Sequence, residues 1–158
     1  TAQLEAKEEM MVGEKITVEL VNAQGEKIGE ATLEEGIHGV LIHVQAQGLT
    51  PGLRGFHIHE QAFQGTDFQS AGAHFNPTQK EHGRLNPKGY HLGDLGNLTV
   101  GEEGRVDQEV FAPGVTLREG HSHSILGRSL IIHAEKDDER TDPAGNAGDR
   151  IAGGNILR

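Results

Sequence analysis

Residues 39–49 read GVLIHVQAQGL, with Val40, Ile42, Val44 and Ala46 at every second place. Side chains on a strand alternate faces with a period of two, so these four form one apolar face. Upstream, KITVEL (15–20) and EKIGEATLEE (26–35) flank the turn signal NAQG (22–25), which predicts a hairpin. Downstream, GLTPGLRG (48–55) reads as a turn, NLTVGEEGRVDQEVF (97–111) as a second hairpin about Glu102–Gly104, and SLIIHAE (129–135) as a further strand. No segment of ten or more residues carries a clean helical period. Short strands at regular spacing predict an all-β protein, an antiparallel sandwich or barrel.

Composition agrees. With 158 residues the chain is one domain by size and long enough for a real core, and 23 Gly with no Trp favours strands and turns over a helical bundle. The first dozen residues, TAQLEAKEEMMV, read as a polar arm (1–12) ahead of a single domain over 13–158. A net charge of −10 argues against nonspecific nucleic-acid binding, which needs basic patches, yet leaves room for a small anion drawn in by a local field. No apolar run reaches membrane-span length, so no membrane span is expected. No leader is legible, and the chain begins without Met, as it would after removal of one. There is no cysteine, so no disulfide is available and the redox compartment is not legible.

Two stretches break the strand pattern. Residues 61–95 mix Gly, Pro, Asn and His without period, and KDDERTDPAGNAGDR (136–150) is charged and rich in turn formers. Loops this long in a compact domain usually carry function. Seven of the ten histidines fall in or beside them: His57, His59, His74, His82, His91, His121 and His133. In GFHIHE (55–60), His57 and His59 point to one side of a strand, as two imidazoles gripping one ion must. His74, His82, His91 and Asp94 offer a tetrahedral donor set that suits zinc. His57, His59 and His133 lie on strands, and a rigid all-imidazole site suits copper. The competing reading of the same residues is a histidine-bearing surface with no metal. A cupin also opens with an HxH strand, but Glu60 adjoins His59 and faces the other way, and the later cupin motif is missing.

GFHIHE, SAGAHFNP (70–77), KEHG (80–83), HLGDLGN (91–97), ILGRSLIIHAEKDD (125–138) and GNAGDRIAGG (145–154) resemble, in order, the signatures of copper/zinc superoxide dismutases, bacterial members above all. The resemblance implies an eight-stranded Greek-key β-barrel or sandwich, immunoglobulin-like, with two long functional loops. It implies that His57, His59, His74 and His133 hold one copper ion and that His74, His82, His91 and Asp94 hold one zinc ion. His74 is then a shared imidazolate, deprotonated between two dications. Asp137 matches the carboxylate that links His57 to His82, and Arg150 the arginine that draws in superoxide. The implied reaction is dismutation of superoxide to dioxygen and hydrogen peroxide, in antioxidant defence. The alternative is a dismutase-like copper/zinc-binding or copper-buffering protein with little catalysis. Family habit also gives the expectations of export (periplasm, cell surface or medium) and of a homodimer.

Departures from the family pattern matter as well. The usual disulfide ties the first loop to the last strand and is typically worth about 2–4 kcal/mol. Here Gly153 stands at one partner position, and the other falls within QAFQGTDFQ (61–69), which has no cysteine. That puts the rigidity of the loop, and the placing of Arg150, in question. Arg54 stands where many members have His. His121 and His123 in EGHSHS (119–124) match no ligand position and are expected as exposed turn residues.

Overall fold

The computed structural model describes residues 15–83, 85–88, 90–139, 145 and 147–157. Eight strands follow in chain order: β1 (Lys15–Asn22), β2 (Lys27–Glu35), β3 (Gly39–Ala46), β4 (Gly52–His59), β5 (Asp94–Val100), β6 (Val106–Pro113), β7 (Ser129–His133) and β8 (Arg150–Asn155). One 3₁₀ turn, Phe68–Ala71, is the sole helical element among the described residues. All pairings are antiparallel, and the sheet order is β5-β4-β7-β8-β1-β2-β3-β6. The sheet curls into a nearly closed Greek-key barrel, as expected. The arm over residues 1–12 lies outside the described residues.

Alternation drives the curl. Ile16, Val18 and Leu20 of β1 are buried between exposed neighbours, and Val40, Ile42, Val44 and Ala46 of β3 repeat the pattern. Register then stacks them: Val18 lies opposite Ala31, Leu33 opposite Ile42, and Ile42 opposite Val110. The NAQG turn closes the first hairpin, with Asn22 Oδ1 accepting the backbone N–H of Gln24 and Glu26 at 3.0 Å each. An Asn that satisfies the turn's own amides is the usual reason for its place there.

Two sequence expectations need correcting. β4 begins at Gly52, inside the stretch read as a turn, because Gly52–Gly55 pair with Asn97–Val100. The stretch 97–111 is not a ladder-paired hairpin either. A tight turn does join its strands, with Gly101 N–H donating to Arg105 O at 2.9 Å, but β5 and β6 are the two edges of the sheet. Between them the Gln108 amide takes the place of a ladder: Oε1 accepts Thr99 N–H at 2.8 Å and Nε2 donates to Asn97 O at 3.2 Å. β5 pairs with β4 and β6 with β3, so the barrel spreads at this seam and a side chain spans the gap. A sequence pattern reports turns and faces, not which neighbour a strand takes.

The second half of β4, from Gly55 to His59, and all of β7 are buried on both faces. Phe56, Ile58, Leu130 and Ile132 enter the barrel core. His57, His59 and His133 are buried as well, on the outer face beneath the two long loops. No described helix is long and apolar enough to cross a membrane.

Candidate metal centre

The loop over residues 60–93 is held to β4 by the backbone of Ile58, the residue between the two strand histidines. Ile58 N–H donates to Gly93 O and Ile58 O accepts Phe75 N–H, both at 2.8 Å, and Gly93 N–H donates to Phe75 O at 2.9 Å. His59 also forms an isolated bridge with His74. These bonds lay His74, His91 and Asp94 over the outer face of β4. Strand β7 sets its Ile131 opposite His57 and runs on to His133, which lies opposite Arg150 of β8.

Every sequence-predicted ligand is buried, and all are gathered in one place. His57, His59, His74 and His133 each offer one ring nitrogen, and these atoms lie within 4.8 Å of one another. The spare atoms are His57 Nδ1, His59 Nε2, His74 Nε2 and His133 Nε2, none with a hydrogen-bond partner. Their opposite nitrogens are committed in three cases. His59 Nδ1–H donates to Gly72 O at 2.9 Å, His133 Nδ1–H to Gly148 O at 3.1 Å, and His57 Nε2–H to Asp137 Oδ2 at 2.5 Å. Each of those bonds fixes a tautomer and leaves a lone pair pointing inward. Buried lone pairs without partners are costly, and four of them on rings gathered this closely fit an ion bound among them.

The second set converges on Asp94 Oδ1. It lies 2.7 Å from His82 Nδ1, 3.2 Å from His74 Nδ1 and 3.5 Å from His91 Nδ1, and His74 Nδ1 is 3.2 Å from His91 Nδ1. A tetrahedron of bonds near 2.0 Å has edges of about 3.3 Å, so these spacings fit a closed zinc-type site. Asp94 Oδ2 is taken by the backbone N–H of Gly83 and of His91, at 2.9 Å each. His57 also comes within 4.8 Å of His74, His82 and Asp94, but its Nε2 is committed to Asp137, so it has one nitrogen to give. Only His74 turns one nitrogen toward each set.

Asp137 joins the two. Oδ2 accepts from His57 as given above, and Oδ1 accepts from His82 Nε2–H at 2.7 Å. Asn97 holds Asp137 in place, its Oδ1 accepting Asp137 N–H at 2.7 Å and its Nδ2 donating to Asp137 O at 2.9 Å. Gly145 completes the arrangement. Its φ is +66°, and a Cβ there would lie 1.8 Å from Asp137 Oδ1 and 2.6 Å from His82 Nε2. Any side chain at 145 would part the carboxylate from the imidazole. Asn97 and Gly145 were not singled out by sequence reasoning. They sit inside HLGDLGN and GNAGDR, but their types carry no ligand chemistry to draw notice.

Electrostatics follow from burial. Desolvation holds His57, His59 and His74 below the ordinary imidazole range and takes His133 down to about 4. These rings are neutral, as ligands must be. Burial pushes His82 down too, but hydrogen bonds to Asp137 and Asp94 outweigh it and lift the ring to about 9. Burial pushes both carboxyls up, yet their imidazole and backbone N–H partners hold Asp94 and Asp137 below the usual range. Arg150 is half-buried, donates through Nη1 to Phe68 O at 2.8 Å, and depresses the pKa of both His59 and His133. Its charge is therefore felt at the all-imidazole set.

Arg54 binds the carbonyls of Thr50, Pro51 and Ala134, tying β4 to the second loop. His121 and His123 belong to neither ligand set and lie in a turn, His121 exposed and His123 half-buried. His121 Nδ1 accepts His123 N–H at 3.0 Å and His123 Nδ1 meets Gly114 O at 3.0 Å, so the pair serves the turn.

A model of the copper/zinc superoxide dismutase family matches residues 27–156. Superoxide dismutase [Cu-Zn] 2 of Aquifex aeolicus (strain VF5) is 47% identical over 147 residues, covering 90% of this chain and 86% of the relative. Superoxide dismutase-like protein YojM of Bacillus subtilis (strain 168) is 45% identical over 146 residues, covering 89% and 74%. Among solved structures, a crystal structure of a SOD-like protein from Bacillus subtilis matches with a TM-score of 0.85 at 44% identity, covering 89% of this chain and 97% of that one. The Cu/Zn superoxide dismutase from Brucella abortus matches with 0.74 at 31% identity, covering 90% and 99%. The fold, the gathered histidines and these matches together make the chain a member of the copper/zinc superoxide dismutase family.

Proposed function

We propose that the chain dismutes superoxide: two superoxide anions and two protons become one dioxygen and one hydrogen peroxide. His57, His59, His74 and His133 would hold copper, and His74, His82, His91 and Asp94 zinc. When bound, copper supplies a one-electron redox couple and zinc a fixed charge without redox chemistry. His74 shares its two nitrogens between the sets, and its Nε2 would hold one of the two protons the reaction consumes and pass it to the reduced oxygen, with water supplying the other. Asp137 fixes the rings of His57 and His82 from behind. Arg150, beside the all-imidazole set, draws in and orients the anion.

The observation that carries the reading is the four buried, unpartnered imidazole nitrogens within 4.8 Å of one another. The test is metal content and superoxide decay in one sample. One copper and one zinc per chain with fast decay bears the reading out. Both metals bound with no decay above that of the metal-stripped protein leaves a copper/zinc-binding or buffering protein, a reading that similarity to a dismutase-like protein keeps in view. Antioxidant defence in an exported setting, by a homodimer, belongs to the same proposal and rests on family habit. Cell fractionation and sedimentation test those two parts.

A further inference from the structure

The chain has no cysteine, yet the loop bearing the 3₁₀ turn Phe68–Ala71 is fastened to the last strand. Asn155, at the end of β8, grips the backbone of Phe63 with both ends of its amide: Oδ1 accepts Phe63 N–H at 2.9 Å and Nδ2 donates to Phe63 O at 3.0 Å. The Phe63 ring lies against Gly153, where an added Cβ would come within 3.1 Å of Cε1. It also meets the Phe68 ring edge-on at 4.8 Å, in a buried cluster with Ala71 and Ile131 that is separate from the barrel core. The carbonyl of Phe68 then accepts Arg150 Nη1–H. A continuous line of contacts runs from Asn155 through Phe63 and Phe68 to Arg150, leaving β8 at one end and returning at the other.

We propose that Asn155 and Phe63 are positioning residues for Arg150, a non-covalent clamp that sets the Phe68 carbonyl and through it the guanidinium. The reason lies in the freedom of the side chain. Arginine has many rotamers, and a guide charge must sit in one of them to aim an anion. Ser129 Oγ–H, donating to Gln61 O at 2.7 Å, anchors the loop two residues earlier, but at Phe63 itself ring contacts alone would leave the backbone free to slide. Two amide bonds from Asn155 to one residue fix its register along β8, and the ring packed on Gly153 fixes its height. The clamp contains no thiol, so it holds alike under oxidising and reducing conditions.

The proposal rests on the guiding role given to Arg150 above, and the test separates the two. In the copper(I)–zinc protein, which is diamagnetic, side-chain ¹⁵N spectra report rotation of the Arg150 guanidinium. Asn155→Leu, which removes both amide bonds, should speed that rotation about threefold or more. The dismutation rate should fall toward that of Arg150→Gln, with one copper and one zinc per chain retained. Adding Asn155→Leu to Arg150→Gln should then bring no further loss. Should Asn155→Leu not fold, Asn155→Asp, which keeps the acceptor and loses the donor, and Phe63→Leu carry the test on the same terms. Unchanged Arg150 rotation overturns the clamp whatever the rate does, and losses that multiply in the double variant overturn it too. Quickened rotation beside an Arg150→Gln variant as fast as the parent would keep the clamp and remove the guide.

Discussion

A histidine with one ring nitrogen committed to the protein can serve one ion only. His59 gives Nδ1–H to Gly72 O, so Nε2 is all it has to offer. His82 gives Nε2–H to Asp137 and turns Nδ1 toward Asp94. His59→Ala should therefore abolish copper-dependent activity with zinc still bound, whereas His82→Ala should weaken zinc first and loosen the loop it anchors. Metal analysis during graded chelation checks both. Loss of the same metal first in both variants would break the partition. At this scale sequence reading works where chemistry is written in residue type and spacing. His57 and His59 declare a shared face by sitting two apart, and His74, His82, His91 and Asp94 declare a donor set. Asp137 and Arg150 do not, because one carboxylate or guanidinium in a charged loop looks like any other, and only the motifs around them marked them out. Gly145 and Asn97 were passed over, because what they do depends on a neighbour 8 or 40 residues away that only folding brings near.

At the scale of elements, β4 and β7 carry neutral imidazoles on a buried face, and this makes the metal-free fold sensitive to acid. His133 ionises near 4 in the fold against about 6.5 in an open chain. Between those values the unfolded chain binds a proton that the folded one refuses, so stability falls as pH drops from about 6.5 to 4. His57, His59 and His74 are shifted the same way by the same burial. Asp94 and Asp137, held low by their partners, add a further loss below the ordinary carboxyl range. His82 acts oppositely: raised to about 9, its contribution is complete below about 6.5 and is lost as pH rises through 9. Thermal melts of metal-stripped protein should show a Tm that falls steadily from pH 6.5 to 4, with His133 alone contributing on the order of 3 kcal/mol. A flat Tm over that range would contradict the neutral-imidazole account. Strand positions were legible from alternation, and the first hairpin from NAQG. Partner choice was not: β5 and β6 follow one another through a tight turn yet stand at opposite edges of the sheet, because closure is settled by the whole barrel and not by the turn.

The whole molecule carries a net charge of −10, which repels a small anion at a distance. A fast dismutase of this composition needs a local field strong enough to win near the site, and the proposed function gives that part to Arg150, which lies opposite His133. The fold as a whole was legible because six motifs fall in family order along the chain. The means of holding the first loop was not, because a clamp made by Asn155 on the backbone of Phe63, 92 positions away, leaves no pattern in the sequence. The most direct measurement is the rate constant for superoxide decay, taken against ionic strength for the fully copper- and zinc-loaded protein and its Arg150→Glu variant. The account predicts a parent rate constant of about 10⁸ M⁻¹ s⁻¹ or more that falls as salt is added. The variant should keep both metals, run at least about tenfold slower, and lose less or even gain with salt, since screening then weakens a repulsion. A loaded parent with no decay beyond that of the metal-stripped protein, or a loaded variant as fast as its parent with the same salt dependence, would contradict it.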